Sequence, residues 1–561
     1  MLTSKTCGRV AVLFGLVAAA APAAPAVAAD PPRPDHRSPV HYRPAQGNFA
    51  DPVPFFWKGT YHVFYLRGDT AKVPWEHIAS KDLVHWEELP TALVSDGPAD
   101  GFDGEHMFTG SVVEHGGTFH LYYTGWNPRN PKGREFVVHA TSPDLLKWTK
   151  HPGHAFPPDG KVYANKQDSD FRDPFVFREA PTGRWQMLLC ARAAPDNRPV
   201  TGVYSSADLV TWRPEAPLCD GYKGTPECPD LFRLGERTYL VVSPSDNVTT
   251  YRTADRLAGP WSAGPGRPLD TPIWYAAKSQ FDGKRHVVTG WLRDLEGDSD
   301  GGAFRWGGTQ SIPRELFAGP AGELLSRPVP EARAAYAVAA LDLANRPKVV
   351  NLTAAGEPSD APGPWRYEGG RLVGDGAALT RARVAVPADY HLSLAVKLTG
   401  PAATFALALR QKDQPSSHYR LEVRPSRGEA TLAGPKSDAV RPVPFAAGED
   451  VRIEAFVQGS LIECFVNGGH AFSGRAYGNP DGTLDLLVTG GKAEVREFAV
   501  RTAAPAPRSD GRGPAWPVGP ARPRVKRPAP TTAGEHSWPS CKSTRPSAAR
   551  RSRSPRPRAR R

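Results

Sequence analysis

Three acidic residues are set in similar surroundings: Asp51 in "FADPVPF", Asp173 in "FRDPFVF" and Glu227 in "PECPDLF". Each has a proline beside or near it, and each is followed by an aromatic or β-branched run. A carboxyl pair with a third acidic residue suits cleavage of a glycosidic bond. One group attacks the anomeric carbon or activates water, and the other carries the proton that the leaving oxygen needs. Pro226 and Pro229 give Glu227 a weakly hydrated setting that favours the protonated acid. Arg172, next in sequence to Asp173, favours an ionised aspartate suited to hydroxyl binding and charge stabilisation. Taken singly, each Asp-Pro pair reads as a turn. A catalytic role requires a fold that brings all three together.

The sequence supplies such a fold as a repeat. "IASKDLVHW", "HATSPDLLKW" and "VYSSADLVTW" share a β-rich run, Ser or Thr, a short turn, Asp-Leu and a closing Trp, and "YRTADRLAGPW" is a weaker fourth copy. The copies recur about every 50 to 65 residues, the range of propeller blades. Alternating strands such as "TFHLYYTGW", "RWQMLLCAR" and "RTYLVVS" lie between them. With the strands around "RHVVTGWLRD" and "GGTQSIPREL", the count predicts five blades packed radially around a funnel. Asp82, Asp144 and Asp208 are then turn residues, and Trp86, Trp148 and Trp212 fill the space between blades. The three non-repeating carboxylates remain to line the funnel.

The remaining chain reads as separate parts. Residues 1–28 have Lys5 and Arg9, an apolar run and an Ala26-Val27-Ala28 site, the pattern of a secretory signal, so export is expected. The propeller is expected over 29–325, an Ala-rich, helix-compatible linker over 326–348, and a β-sandwich over 349–502, where short alternating strands resume. The fold class is therefore all-β, a five-bladed β-propeller followed by a β-sandwich. Residues 503–561 carry 15 Lys and Arg against two acidic residues, so the whole-chain charge of +12 resides in a Pro/Arg-rich tail expected to be disordered. That location argues against a nucleic-acid partner. No later run is long and apolar enough to span a bilayer, so no membrane partner is expected. The five cysteines beyond the signal match neither a disulfide framework nor a zinc site, and the carboxylate chemistry needs no metal or cofactor.

The stretch "HYRPAQGNFADPVPFFWKGTYHVFYL" resembles the opening of glycoside hydrolase family 32, the invertase, levanase and inulinase family. The resemblance continues in order through "WEHIASKDLVHWEELPTAL", "FTGSVV", "RDPFVF", "ECPDLF", "WYAAKSQ" and "WGGTQSIPREL", and into the sandwich at "IEAFVQGSLIECFVNGGHAF". It covers about His41 to Arg501. It implies Asp51 as nucleophile, Glu227 as general acid/base, and Asp173 as transition-state stabiliser binding fructose hydroxyls with Arg172. A retaining mechanism through a fructosyl-enzyme follows, with the reacting carboxylates about 5–5.5 Å apart. Trp75, Phe108 and Thr109 are implied as walls or hydrogen-bonding residues of the sugar subsite, with Tyr275 and Trp306 as further walls. The implied partner is an oligo- or polysaccharide, a fructan.

The sequence departs from the family pattern at Ala50 and Val53, where asparagines flank the aspartate, at Leu66, where a glutamine is usual, and at Glu76, where a glycine is usual. These changes bear on substrate more than on chemistry. Two other readings compete. One is an inverting arabinan- or xylan-type furanosidase on a related five-bladed propeller; the other is a carbohydrate-binding protein that has lost turnover.

Overall fold

The computed structural model describes residues 39–68, 72–180, 182–244, 248–264, 266–294, 306–353, 356–359, 363–411, 419–434, 438–477 and 483–504. The expected signal segment and all but the first two residues of the expected basic tail lie outside the described residues.

Five antiparallel four-strand units follow one another from Phe49 to Pro328. The first contains β1 (Phe49–Trp57), β2 (Thr60–Arg67), β3 (Trp75–Ser80) and β4 (Glu87–Leu93). The second contains β5 (His106–His115), β6 (Thr118–Trp126), β7 (Glu135–Ser142) and β8 (Thr149–Lys150). The third contains β9 (Phe171–Arg178), β10 (Trp185–Arg192), β11 (Pro199–Ser206) and β12 (Arg213–Cys219). The fourth contains β13 (Pro226–Leu234), β14 (Arg237–Pro244), β15 (Thr250–Ala254) and β16 (Arg267–Pro268). The fifth contains β17 (Trp274–Phe281), β18 (His286–Arg293), β20 (Arg314–Ala318) and β21 (Leu324–Pro328). The short β19 (Gly308–Gln310) pairs with β18 and, through Gly308, with Phe49 of β1, joining the last blade to the first.

The repeated turn has one conformation in three blades. The Asp82, Asp144 and Asp208 carboxylates each accept the backbone N–H groups two and three residues on, at 2.7–3.0 Å. The leucine that follows each aspartate takes the left-handed conformation, with φ of 63° at Leu83, 64° at Leu145 and 64° at Leu209. Burial of all three leucine side chains offsets that backbone cost. Trp86 and Trp148 pack against the cluster between the first two blades, and Trp212 against the cluster between the second and third.

The segment expected as a linker is more structured than its composition suggests. Its first residues complete β21, a one-turn helix spans Pro330–Ala334, and the strand Val338–Asp342 pairs with Gly491–Thr502. Alanine content favours helix locally, but a sheet edge offers this segment hydrogen-bond partners. The C-terminal part is two stacked antiparallel sheets of eight and seven strands, with Leu394, Phe405, Leu407, Ile453, Ile462 and Phe472 in the core between them.

Buried charges join the two parts. Arg314, on β20, donates to the Asp270 carboxylate through Nη1 at 2.6 Å and to Glu463 of the sandwich through Nε at 3.1 Å. His41 lies 2.8 Å from the same glutamate, and Ser473 donates its N–H and Oγ–H to Asp270 at 2.8 and 2.7 Å. Arg475, also from the sandwich, pairs with Asp294 at the end of β18, and Asp294 is 3.2 Å from Arg43. Arg43 in turn donates to Asn48 at 2.9 Å, immediately before β1. The sandwich thus buttresses the strand that carries Asp51.

Candidate active site

The first strand of every blade carries an irregularity at the same place. Ladder registers shift between Ala50 and Val53 in β1, Phe108 and Gly110 in β5, Arg172 and Phe175 in β9, Glu227 and Asp230 in β13, and Tyr275 and Lys278 in β17. Pro52, Pro174 and Pro229 sit inside three of these bulges, where a missing N–H removes a ladder bond. Asp51, Asp173, Cys228 and Ala276 have positive φ, at 45°, 62°, 52° and 49°. A bulge with this geometry re-aims side chains that a regular strand would send into the blade. Glu227 stands one position ahead of the two aspartates in this register, aligned with Ala50, Arg172 and Tyr275.

The three carboxyl groups share one electrostatic environment. Burial and the charges of Asp173 and Glu227 push Asp51 up to about 8. Burial pushes Asp173 up to about 6, opposed by Arg172 and reinforced by Glu227. The Asp173 carboxylate accepts the Cys228 N–H at 2.9 Å, and the Asp173 N–H donates to Thr124 Oγ1 at 2.8 Å, fixing β9 between its neighbours.

Arg172 acts on Asp173 through its charge, as adjacency in sequence suggested, but its hydrogen bonds go elsewhere. Its Nη2 donates to Glu227 Oε1 at 2.7 Å, and its Nη1 donates to Asp170 at 2.6 Å and to Glu135 at 3.1 Å. Successive strand residues point to opposite faces, so the guanidinium reaches the next blade instead. The other Glu227 oxygen lies 2.5 Å from the Tyr275 hydroxyl, which is itself 2.8 Å from the Ser243 carbonyl. Glu227 therefore sits in a polar clamp, not the apolar setting its flanking prolines suggested.

The expected subsite residues divide. Phe108 and Trp306 are partly exposed, and Tyr275 touches the Glu227 carboxylate as described. Trp75 is fully buried between Phe64 and Tyr123 and donates its indole N–H to the Phe108 carbonyl at 3.2 Å, so it supports Phe108 from within the core. Thr109 is also fully buried. Ala50, Val53 and Leu66 are enclosed as well, so the apolar departures satisfy packing. Glu76 is neutralised by Arg67 at 2.7 Å and hydrogen-bonded by Thr91 at 2.8 Å.

Sequence reasoning did not single out Glu135, Asp170, Lys278 or Arg293, all of which act on this cluster. Nor did it single out Trp126, which stacks on His106 at 5.1 Å and lies 6.3 Å from Phe108. Lys278 stood in view within "WYAAKSQ", but its reach across the ring has no local signature. Cys190, Cys219, Cys228 and Cys464 are free thiols, and among the described residues no group of His, Cys, Asp and Glu is arranged to hold a metal.

Comparison with known proteins agrees with this arrangement. The chain is 28% identical over 496 residues to sucrose-6-phosphate hydrolase of Escherichia coli, covering 82% of this chain and 93% of that protein. Its fold is similar to fructan 1-exohydrolase IIa from Cichorium intybus, with a TM-score of 0.64, 21% identity and coverage of 84% and 98%. It is also similar to exo-inulinase from Aspergillus awamori, with a TM-score of 0.65, 20% identity and coverage of 83% and 98%. Residues 41–328 match the glycosyl hydrolases family 32 N-terminal domain, and residues 375–502 match the family 32 C-terminal domain. With both family domains matched in order, over the propeller that carries the carboxylates and the sandwich that buttresses it, the chain belongs to glycoside hydrolase family 32.

Proposed function

We propose that this protein is an exported β-fructofuranosidase that hydrolyses fructans or sucrose with retention, using Asp51 as nucleophile and Glu227 as general acid/base. The observation that carries the proposal is the gripping of both Glu227 oxygens, one by Arg172 and one by Tyr275, beside two aspartates that burial and mutual repulsion hold above their ordinary range. The relatives named above supply the substrate class, and the N-terminal signal pattern supplies export.

In the first step an Asp51 oxygen attacks the anomeric carbon of the fructosyl unit, and the carbon–oxygen bond to the leaving group breaks. Glu227 gives its proton to the departing oxygen. In the second step water attacks that carbon, Glu227 takes the water proton, and the ester bond to Asp51 breaks. Asp173 binds hydroxyls of the fructosyl unit throughout. Glu227 must hold and release a proton without moving, and Tyr275 permits both states. With Glu227 ionised, the tyrosine O–H donates to it. With Glu227 protonated, the acid donates to the tyrosine oxygen, whose own proton turns to the Ser243 carbonyl.

The test is incubation of the purified protein with levan, inulin, sucrose and arabinan, with products identified. Fructose release that disappears in Glu227→Gln supports the proposal. Arabinose release without fructose would replace it with the inverting furanosidase. Equal fructan binding by wild type and Glu227→Gln, with hydrolysis by neither, would replace it with a binding protein.

A further inference from the structure

Lys278 crosses the centre of the propeller. It leaves β17 in the fifth blade, is 2% exposed, and donates its Nζ to the carbonyl of Gly110 on β5 in the second blade at 2.6 Å. The first blade, with Asp51 on its inner strand, lies between those two in the ring. Gly110 leaves room for nothing larger, since a Cβ there would meet the Tyr122 carbonyl oxygen at 1.8 Å. The lysine makes no direct salt bridge with any described residue. It is a fixed, buried charge, not half of an ion pair.

The groups around it are mostly acidic. Its charge acts on Asp51 of β1, on Asp173 of β9 and on Cys228 and Asp230 of β13; Arg293, on β18, is the other cation acting on Asp51. Asp230 spends one oxygen on the Ser279 N–H at 2.9 Å, while its other oxygen and the Oγ1 of Thr289, the cross-strand partner of Lys278, are buried without a partner. Arg172 is already committed to Glu227, Asp170 and Glu135. Little positive charge is left for Asp51.

We propose that Lys278 is the positioning residue that keeps Asp51 competent as a nucleophile, by holding an ammonium between the inner strands of the fifth and second blades, where it stabilises the aspartate in its ionised form. The inference rests on the assignment of Asp51 given above. It adds that the charge needed by the nucleophile comes from a residue that does not touch the substrate. Burial and neighbouring carboxylates raise Asp51, and Lys278 is the larger of the two cationic influences that oppose them.

The test is the pH dependence of kcat/KM on a fructan for wild type, Lys278→Met and Lys278→Arg. Removing the charge disfavours the Asp51 carboxylate, so Lys278→Met is expected to move the acid limb upward by about one pH unit and to lower the rate on that limb about tenfold. Lys278→Arg keeps the charge, and its limb stays near that of wild type. A folded Lys278→Met with an unmoved acid limb overturns the inference and leaves the functional proposal standing. Should Lys278→Met not fold, Lys278→Arg decides: a limb near wild type supports the inference, and a limb displaced upward overturns it. A wild-type protein inert on every fructoside would defeat the functional proposal itself.

Discussion

Arg172 and Glu227 form a 2.7 Å salt bridge between the inner strands of the third and fourth blades. The two residues occupy equivalent positions in their bulges, so the repeat itself turns one toward the other. Tyr275 occupies the same position in the fifth blade and closes on the opposite oxygen. Three unrelated side chains at one repeated position thus make a single carboxylate clamp, the acid/base device of the proposed mechanism.

Tyr275→Phe removes one arm of that clamp and preserves the ring. A hydrogen bond to a charged group is worth about 1.5–3 kcal/mol, so kcat is expected to fall roughly 10- to 100-fold, with KM less affected. Steady-state kinetics on the preferred fructoside would check this. An unchanged kcat would remove Tyr275 from the mechanism.

Asp51→Asn is expected to separate stability from activity. The folded protein binds a proton at Asp51 more tightly than the unfolded chain does, because burial and two neighbouring carboxylates raise it from 3.8 to about 8. The resulting stabilisation is complete below pH 3.8 and is lost as the pH rises through about 8. A neutral asparagine escapes that loss. Thermal unfolding should therefore show Asp51→Asn melting about 1–4 °C above wild type at pH 8, with the gap closing toward pH 4.

The propeller–sandwich junction gives a third expectation. Arg314→Met leaves the Asp270 and Glu463 carboxylates buried without their guanidinium, and breaking a buried pair costs about 3–5 kcal/mol. The first unfolding transition should drop by about 5 °C or more in calorimetry. A melt indistinguishable from wild type would show that the buried network contributes nothing to the junction.

The sequence carried the architecture because the repeat is local. Ser, Asp-Leu and Trp at fixed spacing make a turn whose hydrogen bonds span three residues, so three copies announced blades directly. The three carboxylates were legible for a related reason: the Asp-Pro and Glu-Cys-Pro stretches are themselves the bulges that aim them. What depended on radial packing was not legible. Nothing near Arg172 in sequence says that it reaches Glu227 across a blade boundary, or that Trp75 and Thr109 are fully buried. Lys278 finds its partner 168 residues away on a blade that is not its neighbour. The stretch after Pro328 was legible in part: alanine content speaks for helix, which one turn over Pro330–Ala334 obeys, while Val338–Asp342 pairs with the sandwich strand Gly491–Thr502.

The central claim is that Asp51 forms a covalent bond to the fructosyl unit. It is tested most directly by rapid quenching of Glu227→Ala reacting with a fructoside that carries a good leaving group, followed by peptide mass spectrometry. The account predicts a hexosyl ester on Asp51, within the peptide containing "FADPVPF", and its absence from Asp51→Asn. Turnover with an inverted product and no ester, or an ester on any other residue, would contradict it.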